Sequence, residues 1–539
     1  MNSMKKNSVR NKAARFAALT LALAALLTGC SLRRGRDETS LATPAPTAEP
    51  AATEAPAEGG TLRLAMPVNA PSSDPLSVTT EEMLYLFSLV YDSLLTVGPS
   101  MELEPCLCES WTSESPGVWI LHVREGVVWH DGSPLTANDV ISTYQALLTM
   151  EESYYKPCLL HILGMEKTGT YDLRVRLDTP GITGLYSLVF PIRKNIPLMG
   201  TGAYRLEGIT DEQIRLTVNT LWWDKLPYIT RVVFSERDSN TTALASYEAG
   251  QLDMVPTDIL TAGKYHEDGK TEVLDVMTQN METLLFNHRG SVFTDERLRH
   301  AVAHGINRSR IITNVYSNRA RAADIPFPPD SWLYDTRCDV LNYSPDAAAQ
   351  LIAEAGYTID TDGSGLLFSR TGRSLSVKLL TSATTENTIR SDAASMIAQQ
   401  LGELGFAVEV ITKPHTLGDP ESEFITALRE GDWDMALVGF NLSLGNELSG
   451  YLDPEGANNF GGINDTDLSA LAADLAVAEN EETMRERAYA LQSRFVETLP
   501  FLPLYFRLNS VILKADISGV GSPREPFLFA NEKDWYFSE

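Results

Sequence analysis

The 539 residues are ample for a large buried core, so a small fold held together by staples is excluded. With 71 acidic residues against 44 basic ones the formal charge is −27, which argues against nucleic acid as a partner and suits a domain kept off an anionic membrane. The 5 cysteines of so long a chain make no disulfide framework.

The chain opens with Lys5, Lys6, Arg10, Lys12 and Arg15 and no acid, then runs apolar from Phe16 to Leu27 and reaches Leu27-Thr28-Gly29-Cys30. That order is a signal-peptide layout over residues 1–30. The apolar run falls well short of the about 20 residues a membrane span needs. Its ending resembles the bacterial lipobox, which implies that Cys30 is diacylated and holds the mature protein on the membrane. Arg33, Arg34 and Arg36 stand where anionic head groups would meet them, or are incidental. Residues 31–58, rich in Pro, Ala, Thr and Glu and without an aromatic, read as a disordered tether, with the folded part beginning near Gly59.

No repeat is visible, and long helices alternate with short β-branched strands, which predicts a mixed α/β architecture. Val127 and Trp129 alternate as the end of a strand, and Gly132-Ser133-Pro134 turns the chain. Thr136-x-x-Asp139 then forms a capping box ahead of Val140, Ile141, Tyr144 and Leu147 at helical spacing. His130 and Asp131 therefore fall at a strand-to-turn junction and are expected to hold the turn, with no part in catalysis. Thr294 is expected to cap the helix carrying Leu298, Ala301 and Val302. Ser344-Pro345 starts a helix that Gly356 stops, and Ile389, Ala393, Ile397 and Leu401 form the face of another that Gly405 closes before the strand "AVEVIT". Cys106, Cys108, Cys158 and Cys338 lack zinc spacing and read as small packed thiols. The eight histidines show no metal-ligand spacing, and no nucleophile elbow, phosphate loop or dinucleotide fingerprint occurs, so no catalytic residue, metal or cofactor is expected.

Residues 104–148, "EPCLCESWTSESPGVWILHVREGVVWHDGSPLTANDVISTYQALL", resemble the signature region of bacterial solute-binding protein family five, the oligopeptide-, dipeptide- and nickel-binding receptors of ABC importers. Matches continue in order through "GTGAYRL", "ALASYEAGQLDMVP", "LLFNHRGSVFTDERLRHAVAHGINRSRI", "YSPDAAAQLIAEAGY" and "GDWDMALVGF". The resemblance implies a two-lobed periplasmic-binding-protein type II fold with an extra inserted domain, enclosing a solute between its lobes. Carried onto this chain it implies lobe I at 59–103, 192–282 and 505–539, an inserted domain at 104–191 and lobe II at 283–504. The crossings would lie near Thr283 to Asn287 and Leu499 to Tyr505.

In peptide-binding members a Gly-Trp and a following Asp sit at the ligand's amino terminus. Here Phe440 takes the Trp position, Asn446 stands about where the Asp is expected, and Glu447 follows at once, as a substitute carboxylate or as a solvated loop acid. Trp223 and Trp433 are expected to pack. The implied protein is a monomeric, extracytoplasmic, lipid-anchored receptor that delivers oligopeptides to an ABC permease and its ATPase. The same fold could hold a non-peptide solute, or a nickel chelate at His288 or His304, or serve surface adhesion or signalling without an importer.

Overall fold

The computed structural model describes residues 56–67, 74–196, 198–210, 212–360, 363–384, 387–416 and 418–538. The leader, Cys30 and the tether up to Ala55 lie outside the described residues. Three sheets organise the remainder. The first sets Thr61–Pro67 parallel to Arg231–Arg237 and continues antiparallel through Gln213–Val218 to Tyr204–Ile209. The second is antiparallel, in the order Cys108–Ser115, Val118–Val123, Asp172–Leu177 and Ile162–Lys167.

The third is a seven-stranded mixed sheet built around two long antiparallel partners, Thr271–Phe286 and Phe501–Lys514. Met254–Thr257 pairs with one end of this ribbon, and Met435–Asn441, Ser376–Ala383 and Ala407–Pro414 extend the other. Both long strands are mostly buried; Phe501–Lys514 is largely apolar at both ends, whereas Thr271–Phe286 carries Gln279 and Glu282 at buried positions. Their register shifts between Met277 and Met281, so residues 278–280 leave the ladder midway along the ribbon.

Helices form where local signals agree. Asp139 accepts the Thr136 N–H at 2.8 Å and starts Ala137–Thr149, whose buried face includes Val140, Tyr144 and Leu147. Ser344 caps Pro345–Glu354, and Ile389–Glu403 buries Ala393, Ile397 and Leu401 before the parallel strand Ala407–Pro414. Two local expectations need correction. The helix Glu296–Gly305 is capped by Asp295, whose carboxylate accepts from the Arg297 N–H at 3.0 Å, while the Thr294 hydroxyl donates to the Ser291 carbonyl in a preceding 3-10 turn. Val127 and Trp129 are buried outside any strand: the strand ends at Val123, and Val128 makes only an isolated bridge to Pro134.

His130 and Asp131 hold their turn, as expected. The Gly200 N–H donates to His130 Nδ1 at 3.3 Å, so Nε2 carries the ring proton and donates to the Gly202 carbonyl at 3.2 Å. Burial keeps the ring below its ordinary pKa, consistent with that neutral form. Asp131 accepts from the Ser133 N–H and hydroxyl and from Lys194 Nζ. The pair thereby fixes the second sheet's segment to the chain entering Tyr204–Ile209.

Apolar packing runs unbroken from the second sheet (Leu121, Trp129, Phe190) into the third (Phe286, Leu437, Phe495), and a separate cluster centres on Leu64, Phe87, Phe234 and Trp535. At one seam Ile182 N–H donates to the Ala478 carbonyl at 2.7 Å. Beside it Gly181 is required, because a Cβ there would stand 2.4 Å from the Ala476 carbonyl oxygen.

Candidate functional site

A cavity of about 860 Å³ opens where these parts meet. Thr278, Gln279 and Asn280 line it with Asn509 on the partner strand; the Gln279 amide is held from behind, its Oε1 accepting from Arg524 Nη1 at 3.2 Å. One wall comes from Phe87, Tyr91, Trp222 and Trp223 and from the C-terminal stretch Glu525 to Lys533; the facing wall comes from the loop after Met435–Asn441, residues 442–445 with Glu447 and Tyr451. His161, Thr183 and Tyr186 close a third side. A second cavity of about 960 Å³ adjoins it, sharing Thr96, Glu104, Phe527, Ala530 and Lys533. These are volumes of ligand-pocket size.

The lining is acidic. Asp92, Glu104, Asp224, Glu447, Glu525 and Glu532 face a single lysine, Lys533, and that lysine is committed to Asp224 at 2.5 Å. Asp92 is buried and its Oδ2 accepts from Thr201 Oγ1 at 2.8 Å and from Trp223 Nε1 at 2.9 Å; burial still pushes it above the usual carboxylate range. Burial raises Glu104 too. Glu532 is pushed up to about 8, chiefly by burial, with Asp92 adding to the shift. At Asp224 burial acts upward, but Lys533, the Lys225 N–H and Arg124 together outweigh it and hold the carboxyl below its ordinary value. Tyr85 donates to Glu525 at 2.9 Å.

Of the three residues singled out from sequence, Glu447 lines the cavity. Its Oε2 lies 3.5 Å from His161 Nε2, and its N–H donates to Ser443 Oγ at 3.0 Å. Phe440 stands behind the wall, stacked edge-on against Tyr451 at 4.9 Å between centroids, and it is Tyr451 that reaches the cavity. Asn446 is buried in the same loop with a left-handed φ of 52°, outside the lining. Trp433 packs, donating to the Leu428 carbonyl. Trp223 does more than pack: it forms cavity wall, bonded to Asp92 on one side and covered by the Arg124 guanidinium 4.4 Å from its ring centroid.

His288 and His304 lie outside the lining, and each gives a ring nitrogen to a backbone carbonyl, Pro500 and Asn342 respectively. Burial lowers His288 to about 4. Among the described residues no group of three or more His, Cys, Asp or Glu is placed to hold a metal ion. The four cysteines of the described region are free thiols, and burial raises all four. Sequence reasoning missed Asp92, Trp222 and the C-terminal wall. The available signal was "EPFLFANEKDW", aromatics and acids without strand or helix periodicity after the last long strand.

A model of bacterial extracellular solute-binding proteins, family 5, matches residues 102–459. The oligopeptide-binding protein AppA of Bacillus subtilis (strain 168) is 24% identical over 497 residues, covering 86% of this chain and 88% of the relative. The nickel-binding periplasmic protein of Escherichia coli (strain K12) is 22% identical over 496 residues, covering 85% and 91%. Among solved structures, HbpA2 from Haemophilus parasuis superposes with a TM-score of 0.77 at 19% identity, covering 89% of this chain and all of that one. The fold is the two-lobed one of these neighbours.

Proposed function

The chain belongs to the bacterial extracellular solute-binding proteins, family 5, and from that premise we propose that it captures peptides through their free amino end and passes them to an ABC permease. The observation that carries this reading is the acid-lined cavity with Glu447 in its lining together with the aromatic residues. A peptide backbone needs amide and carbonyl partners, which Asn280, Asn441 and Asn509 offer, plus one carboxylate for its ammonium. Lobe I then comprises 59–103, 192–282 and 505–539, the inserted domain 104–191 and lobe II 283–504, with the two long strands as crossings.

The protein is also proposed to be a lipoprotein on the outer face of the cell membrane, held by Cys30. Metabolic labelling with a fatty acid is expected to tag the wild type and to leave Cys30→Ala unlabelled; equal labelling would remove the anchor from the account. The peptide reading is tested by native mass spectrometry of the full chain purified in detergent from its own membrane. The expected result is a set of co-purified masses that a peptidase degrades. Peptidase-resistant masses, with no uptake of an added free-amine peptide pool, would transfer the protein to the non-peptide receptors.

A further inference from the structure

Glu532 is 8% exposed, lines the cavity, and finds no hydrogen-bond or ion-pair partner among the described residues beyond its own backbone amide. Its neighbour Lys533 could have served it but is spent on Asp224. Asp92, close enough to push Glu532 up, already accepts two donors from the protein. Burial pushes the Glu532 carboxyl up to about 8, so at neutral pH it is largely protonated, and among the described residues its oxygens accept only from its own backbone amide. A ligand that brings a positive charge beside it lets it ionise and gives the ionised form its partner.

The surroundings say which donor fits. An anionic group would meet the acids named above with no free lysine or arginine in the lining. A neutral hydroxyl would offer a hydrogen bond but no counter-charge to the ionised form. The indole of Trp222 lines the same cavity, and an aromatic ring beside a carboxyl group is the chemistry that receives an ammonium or guanidinium. Glu447 comes from the loop after Met435–Asn441 and Glu532 from the C-terminal stretch, so the two can serve different cations of one ligand.

Building on the peptide reading, we propose that the wall carrying Glu532, Asp92 and Trp222 is a subsite for a basic side chain of the bound peptide, with Glu532 as its counter-charge. The test uses the full chain in detergent and two free-amine tetrapeptide pools, one with a single lysine and one with norleucine in its place. Titration calorimetry is expected to give the lysine pool at least about tenfold tighter binding to wild type. Glu532→Gln is expected to erase that difference, and its circular-dichroism spectrum and melting temperature, compared with those of wild type, report that the variant is folded. Equal affinity of wild type for the two pools overturns the proposal whatever the variant does, as does a preference that survives Glu532→Gln. Failure of both pools to bind wild type would sink the peptide reading and this subsite with it, so the two failures are distinct.

Discussion

Arg390→Met is expected to lower the melting temperature at neutral pH by about 6 °C or more. Arg390 Nε and Nη2 each donate to Glu282 at 2.9 Å, and Nη1 donates to Ser382 Oγ at 2.9 Å. The Glu282 side chain is 4% exposed and sits on the long strand Thr271–Phe286 just past its register shift. The guanidinium reaches it over Gly439, where a Cβ would stand 2.4 Å from Arg390 Nη2. Burial acts to raise the Glu282 carboxyl, but Arg390 outweighs it and holds the group below its ordinary value. Removing one partner of such a pair costs about 3–5 kcal/mol, because the other charge stays buried and uncompensated. At about 2–4 °C per kcal/mol for a unit of lobe size, the loss starts near 6 °C.

The sign of the pH dependence follows from the lowered carboxyl. The stabilisation is full above the ordinary value of 4.5 and is lost as pH falls through the lower folded value, so the gap between wild type and Arg390→Met should close in acid. Adding Glu282→Gln to Arg390→Met should recover part of the loss, since the orphaned charge is then gone. Thermal unfolding of the three proteins at neutral and acid pH measures all of this. A single variant within about 2 °C of wild type at neutral pH would mean that water or a neighbour replaces the guanidinium.

That ion pair also marks where reading the sequence stops. Elements specified by neighbours within a few residues were legible: the Thr136 and Asp139 capping box, the Ser344 cap, the apolar face from Ile389 to Leu401. Thr294 and Asp295 are both competent caps, and only the 3-10 turn before them, made by Val292–Thr294, decides for Asp295. Glu282 and Arg390 are 108 residues apart, and no local pattern connects them. The cavity wall is harder still, because Asp92, Trp223 and Glu532 come from three distant segments and none lies on a periodic face. Glu447 was found because resemblance fixed an expected position; its neighbour Asn446, nearer to that position, has its backbone in a left-handed turn and lies outside the lining.

Glu447→Gln is expected to weaken a free-amine peptide by more than about tenfold, a step of about 1.4 kcal/mol, and to leave an N-acetylated peptide nearly unaffected. The Glu447 side chain is 32% exposed and one of its oxygens lies 3.5 Å from His161 Nε2, a weak partnership. An enclosed ammonium would replace it with a charge-assisted bond, and removing one partner of such a bond costs about 2–5 kcal/mol, much of it from the ligand charge left unpaired. A carboxylate that stays at a wet rim contributes about 0–1 kcal/mol. The two ranges barely approach each other, so the measurement discriminates. Acetylation removes the ligand's charge and the substitution removes the protein's, and calorimetry of both proteins with both peptides closes a double-mutant cycle. Coupling of more than about 1 kcal/mol identifies Glu447 as the amine's partner. Additive losses would detach the amine from Glu447 and leave Glu525, Glu532 or Asp92 on the opposite wall to receive it, reversing the direction in which the peptide lies across the cavity.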